Sequence, residues 1–274
     1  MSDNLTKEQP ANLTKYPMSQ TPLITYDMVN KLQCVLSPSA NVIQVPISVG
    51  DAEPKAKWDS PCLMMIFDGG DLNSAMHHLL ASLRNPFAPN AVATLLIQEN
   101  VRGPFLEQLV EQMTQVDPSV HQHPNYLRTL RKLQQFSAET IVANPHRVPS
   151  NATPILVSDL THNFLGEDGP TGVITMHTFR TPKEATQVNL KETLAYGSVS
   201  IWNEKTASAY EMCQLLKNNI FMINCYNVDL GPIKAAFDAG QNDARIVKGY
   251  HYESVICGQM RKIIVFAVGT IFAN

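Results

Sequence analysis

Thiols and imidazoles are the side chains of this sequence best suited to covalent or metal chemistry, and their surroundings decide whether they can act. There are five cysteines, Cys34, Cys62, Cys213, Cys225 and Cys257. A cysteine attacks as a thiolate, which needs a neighbouring base or cation. Cys62 and Cys225 flank or end apolar runs with no His or other base close in sequence, so they read as buried, inert thiols. The odd count, wide spacing and lack of a CxxC pair fit reduced cysteines in the cytoplasm better than a disulfide framework. Two histidine sets, His77-His78 and His121-Gln122-His123, lack a companion Cys, Asp or Glu at ligand spacing. No metal is therefore predicted.

The bulk properties exclude several classes. A chain of 274 residues with 44% hydrophobic content is long enough to bury a large α/β core. A formal charge of -3, without a basic and aromatic cluster, offers nothing to a phosphate backbone. The longest apolar run, Ile263 to Ala273, falls short of the roughly 20 residues a spanning helix needs and suits a β-strand. The polar N-terminus has no apolar core of the kind a secretory signal carries. No nucleic acid, no membrane and a cytoplasmic location are the expectations.

Residues 1–25, with Pro10, Pro17 and Pro22, read as a flexible polar arm, and 26–60 as a short cover segment with a strand at Val42 to Val45. Alternating strands and helices begin near residue 61. Leu63 to Phe67 is an apolar run suited to a buried parallel strand, and Leu72, Ala75, Met76, Leu79, Leu80 and Leu83 recur at helical spacing behind Asp71 as N-cap. Ala93 to Ile97 follows as a strand, with a helix opened by Pro104. A helix is expected near Tyr126 to Phe136, and strands at Pro154 to Val157 and Val173 to His177. Thr181-Pro182-Lys183-Glu184 is a capping box with proline at its first helical position. A strand over Gly197 to Trp202, a helix over Thr206 to Lys217 and a strand over Ile220 to Ile223 complete the series, while Gly231 to Lys248 reads as an irregular loop. The pattern predicts an α/β fold with a mainly parallel, layered sheet over 61–250 and a C-terminal apolar strand in 251–274.

Several short motifs then fall into one order: Phe67-Asp68-Gly69-Gly70-Asp71-Leu72, Leu95-Leu96-Ile97-Gln98-Glu99, Phe179-Arg180-Thr181-Pro182-Lys183-Glu184, Tyr196-Gly197, Ile201-Trp202 and Ile223-Asn224. Together they resemble the catalytic domain of the aldehyde dehydrogenase superfamily over about residues 60–250. The second and third motifs are most similar to the atypical member sixteen group, some of whose members lack the nucleophilic cysteine. The resemblance implies the catalytic-domain fold, NAD(P)-linked aldehyde oxidation through a cysteine thiolate, and dimers formed near the C-terminal strand.

Three departures oppose that chemistry. The resemblance places the attacking cysteine close to Pro89, which has neither a thiol nor an N–H for an oxyanion. The family's general base falls in Lys55-Ala56-Lys57-Trp58, leaving Glu53 as a solvated loop carboxylate. No glycine-rich phosphate turn precedes the matching section. Asp168 aligns with a family glutamate that contacts nicotinamide ribose, but reads better as a turn residue. The expectation is a pseudoenzyme with no catalytic, cofactor-binding or metal residues and no cofactor, acting through a protein partner or self-association with the strand Ile263 to Phe272 as candidate contact. The alternative is an NAD(P)-dependent aldehyde oxidoreductase with an altered or partner-supplied active site.

Overall fold

The computed structural model describes residues 58–136, 138–166 and 169–269. The expected arm, the cover segment as far as residue 57, the strand at Val42 to Val45, Glu53 and Asp168 lie outside these residues.

Cys62–Ile66 forms β1, and every residue of it is buried. Its alternate side chains serve two cores: Met64 and Ile66 face one layer of helices, Leu63 and Met65 the other. A continuous apolar run is what a strand covered on both faces requires, and each fully buried side chain of this size contributes about 1.5–3 kcal/mol. Helix α1, Leu72–Arg84, starts where Asp71 accepts hydrogen bonds from the N–H groups of Asn73 and Ser74. It covers the first face with Ala75, Met76, Leu79 and Leu83. Strand β2 is Val92–Gln98 and helix α2 is Glu99–Gln112.

Pro104 lies inside α2 and does not open it. Proline in a helix loses one N–H and crowds the residue before it, but that residue is Gly103, which has no Cβ to clash. The helix therefore starts at Glu99, directly after the strand.

The middle of the chain contributes α3 (Pro118–His121), α4 (Pro124–Gln135), β3 (Thr140–Val142), β4 (Ile155–Ser158), α5 (His162–Leu165) and β5 (Ile174–Phe179). Helix α6, Pro182–Lys191, begins at the predicted box: Thr181 accepts from the Glu184 N–H. Glu184 reaches back to the N–H of Arg180 rather than of Thr181. β6 (Ser198–Trp202), α7 (Thr206–Leu215) and β7 (Ile220–Ile223) follow as expected.

Gly231 to Lys248 is not a loop. It holds α8 (Gly231–Asp238) and β8 (Asp243–Val247), followed by β9 (Tyr250–Cys257) and β10 (Met260–Ala267). Helix α8 opens with Gly231-Pro232 and buries Ile233 and Ala236. Lys248 and Gly249 both have positive φ, at 49° and 81°, as the two-residue turns that join twisted antiparallel strands require.

All ten strands make one sheet in the order β3-β4-β5-β2-β1-β6-β7-β10-β9-β8. The strands from β4 to β10 in this order pair in parallel, and β3, β9 and β8 join antiparallel. The C-terminal strand β10 lies inside the sheet, with β7 on one side and β9 on the other. Among the described residues no helix is long and apolar enough to cross a membrane.

Candidate functional site

In open α/β sheets ligands favour the carboxyl ends of the strands where strand order reverses. Here that switch falls between β1 and β6, and its crevice is closed by backbone. The Phe67 N–H donates to the Trp202 carbonyl at 3.0 Å, and the Glu204 N–H to the Gly69 carbonyl at 2.9 Å. A Cβ on Gly70 would sit 2.5 Å from the Trp202 carbonyl oxygen.

The turn from β1 to α1 does contain Gly69-Gly70, yet it does not fit a pyrophosphate. A dinucleotide turn offers free N–H groups at a helix N-terminus. The Asp68 N–H is held by the Gln98 side chain at 2.9 Å and the Gly70 N–H by the Phe67 carbonyl. The Asn73 and Ser74 N–H groups are taken by the Asp71 carboxylate. The Ser74 hydroxyl and N–H hold the Asp71 carboxyl below its usual range, so a negative charge already occupies the anion position.

The second place is the turn between α1 and β2, where the sequence resemblance puts a nucleophile. Its N–H groups can be accounted for one by one. Phe87 donates to the Asn85 side chain at 3.2 Å and Ala88 to the Asn85 carbonyl at 3.2 Å. Pro89 is exposed and has no N–H. Asn90 donates to the Asp59 carbonyl at 3.0 Å and Ala91 to the Ala88 carbonyl at 3.1 Å. Asn90 has φ 59°, a conformation asparagine tolerates better than most residues. Its carbonyl accepts from the Tyr226 hydroxyl, and its side-chain amide donates to Asn227 at 3.0 Å. An oxyanion would need an N–H aimed outward from this turn; these are all turned inward.

The thiol nearest this turn in the sheet is Cys62, whose N–H donates to the Ala91 carbonyl. Burial pushes it up to about 12, against smaller opposing effects of the Ser198 hydroxyl and a backbone bond at Ser200. Burial likewise pushes Cys225 up to about 12 and raises Cys213 and Cys257. All four are unpaired and buried. None is a thiolate near neutral pH.

One histidine of each set, His78 and His123, is a packing group. His78 stacks against Trp202 and Tyr226, with centroids 5.8 and 4.9 Å away, while His77 is exposed. The His123 Nδ1 accepts from the Asn125 N–H at the start of α4, and its ring stacks on Phe87 at 4.0 Å. The described residues contain no group of three or more His, Cys, Asp or Glu able to hold a metal.

A buried polar layer under α5 and α6 escaped the sequence reading. The Tyr196 hydroxyl donates to Thr94 Oγ1 at 2.7 Å, and Thr94 and Thr175 share a hydrogen bond at 2.8 Å. His162, 2% exposed, holds the Ala93 carbonyl through Nε2 at 2.8 Å and meets Thr171 Oγ1 through Nδ1 at 3.2 Å. His177 lies 3.8 Å from an Asp159 carboxylate oxygen. Burial lowers both imidazoles; His162 uses both ring nitrogens in hydrogen bonds, while the buried Nε2 of His177 has no hydrogen-bond partner among the described residues. The only sequence signal is polar residues at inward strand positions, Thr94, Thr175 and His177, without a motif around them.

A family model described as a protein of unknown function (DUF1487) matches residues 57–272. The chain belongs to that family. Among solved structures this DUF1487 chain is similar to a candidate aldehyde dehydrogenase from Burkholderia cenocepacia, with 18% identity over 65% of this chain and 41% of that one, at a TM-score of 0.48. It is similar to an aldehyde dehydrogenase from Bacillus cereus in complex with NAD+, with 14% identity over 64% and 39% of the two chains and a TM-score of 0.48. A lactaldehyde dehydrogenase from Escherichia coli gives 15% identity over 63% and 40%, with a TM-score of 0.47. The DUF1487 chain thus spans about two fifths of each. A comparison with curated proteins finds no match.

Proposed function

We propose that this chain is a catalytically silent aldehyde dehydrogenase-like protein that acts by associating with other proteins. The observation that carries this reading is the turn at Pro89, where a thiol is lacking and the N–H groups from Phe87 to Ala91 are all engaged within the protein. Aldehyde oxidation by a thiohemiacetal route needs both a thiolate and an oxyanion donor at one place. The raised thiols at Cys62 and Cys225 and the carboxylate-filled turn at Asp71 support the same reading. Four buried, unpaired cysteines favour a reducing compartment, the cytoplasm.

The test is to incubate the purified full chain with short and long aldehydes and NAD or NADP, following reduced nicotinamide, and to titrate each nucleotide by calorimetry. Neither turnover nor saturable binding is expected. Turnover that a thiol-capping reagent abolishes would establish the oxidoreductase reading instead. Saturable nucleotide binding without turnover would point to a site supplied in part by another chain.

A further inference from the structure

The sheet ends at β8, and among the described residues no strand pairs with its outer side. Such an edge can receive another chain, and prolines, bulges, inward charges, short length and charged side chains are what blunt it; β8 is five residues long, and its two charges, Asp243 and Arg245, pair with each other. β8 has no proline, and it pairs with β9 without a register shift, from Asp243 opposite Ser254 to Val247 opposite Tyr250. Ile246 is 68% exposed, the highest value among the large apolar side chains described.

Hydrogen-bond direction follows from the hairpin. Val247 and Tyr250 flank a two-residue turn, so they and every second residue from them exchange ladder bonds. Ala244 and Ile246 therefore aim their N–H and C=O groups away from β9. The Ala244 N–H confirms that direction: it bonds the Asp243 side chain at 2.9 Å and not a β9 carbonyl. Asp243 also pairs with Arg245 at 2.7 Å.

We propose that β8 is a self-association edge on which a second copy of this chain pairs antiparallel, about a two-fold axis through Ala244. In that register each Ala244 N–H exchanges its bond to the Asp243 side chain for one to the second copy's Ala244 carbonyl, and Ile246 bonds the second copy's Asn242. Asp243 then faces the second copy's Arg245 twice, as a non-hydrogen-bonded pair in which side chains stand closest. A symmetric contact must be self-complementary. The segment Asn242-Asp243-Ala244-Arg245-Ile246 meets that condition with Ala244 at its centre, where each Asp243 faces an Arg245, whereas centring on Arg245 would set two guanidinium groups face to face. The proposal gives a partner to the associating role proposed above, but it stands whether or not the Pro89 turn is inert.

The test is sedimentation of the full chain, from about 1 to 100 µM, a range set by the weak end of specific interfaces. A dimer is expected, weakened by salt. Asp243→Arg or Arg245→Asp alone sets like charges opposite each other at both ends and should raise the dissociation constant about tenfold or more. The double exchange restores the pairing and the dimer. Ala244→Pro removes an N–H that β9 does not use and should leave a folded monomer, with cooperative unfolding as the control. A wild-type monomer across that range would overturn the proposal, as would a dimer that all of these variants leave unchanged. Failure here leaves the reading of the Pro89 turn intact, because nucleotide binding and turnover are measured separately.

Discussion

The hydroxyl of Tyr226 donates to the backbone carbonyl of Asn90, 136 residues earlier in the chain. The segment after β7 thus returns along the sheet face to hold the turn between α1 and β2. Asn227 adds a second tie to the Asn90 side chain, and Tyr226 also lies 3.3 Å from the Ser82 hydroxyl, which accepts from the Val92 N–H.

Tyr226→Phe keeps the ring beside His78 and removes only the hydroxyl. A loss of about 1 kcal/mol is expected, seen as a drop of about 2–4 °C in Tm. Asn227→Ala should cost a similar amount or less. Because both side chains hold one residue, the double variant should lose less than the sum of the two, and additive losses would show that the ties act independently.

Gly70→Ala should be far more damaging than most surface changes. Its Cβ would meet the Trp202 carbonyl carbon at 2.8 Å as well as the oxygen, and backbone at the centre of a sheet cannot step aside. A loss of about 3 kcal/mol is expected in urea unfolding. A loss below about 1 kcal/mol would mean that the crevice between β1 and β6 opens easily.

Stability should fall as pH drops below 6.5. His162 and His177 are lowered from the ordinary value of 6.5 chiefly by burial, so the unfolded chain takes up protons first. Their contribution is complete above 6.5 and is lost as pH falls toward the folded-state values. The groups around them are Glu192, Asp159, Lys191 and each other. Urea midpoints across this range should slope downward with acid, and His162→Gln should flatten the slope. An unchanged slope in that variant would assign the effect elsewhere. Asp71 is lowered from 3.8 and acts in a separate, more acidic window.

Lys262 is 1% exposed, yet it is a lysine. Its Nζ donates to the carbonyls of Cys213 and Leu216 at the C-terminal end of α7 and lies 5.0 Å over the Phe221 ring. Lys262→Ala should cost about 3–5 kcal/mol, by leaving a cavity and two carbonyls without a donor. Lys262→Met fills the volume and should cost less, about 2 kcal/mol. Equal losses for the two would show that the cavity contributes nothing.

How much of this was readable from the sequence depended on how local each cause was. Leu63 to Phe67, the Asp71 cap and the Thr181 box are set by neighbours in the chain, and all three stand where their residues indicated. β8 was hidden because its exposed residues give it no apolar alternation. α8 was hidden because eight residues are too few to show a period. The burial of Lys262 has no local sign, since the carbonyls that receive it come from a helix end 46 and 49 residues away. The polar layer at His162 has the same origin: the carbonyl its Nε2 holds, Ala93, is 69 residues away, and Thr171, nine residues on, carries no motif with it.

The residues that suggested kinship turn out to do mechanical duty. Asn224, with φ 52°, accepts from the Asn203 N–H at 2.8 Å and donates to its carbonyl at 2.9 Å. Arg180 grips Glu99 through two hydrogen bonds at 2.8 and 3.0 Å, and Asp71, Gln98 and Thr181 each secure a backbone N–H. Side chains with such jobs are needed wherever a protein must hold this shape, with or without a reaction. Signatures drawn from this rim will therefore gather chains by the way their backbone is held, whatever chemistry each one performs.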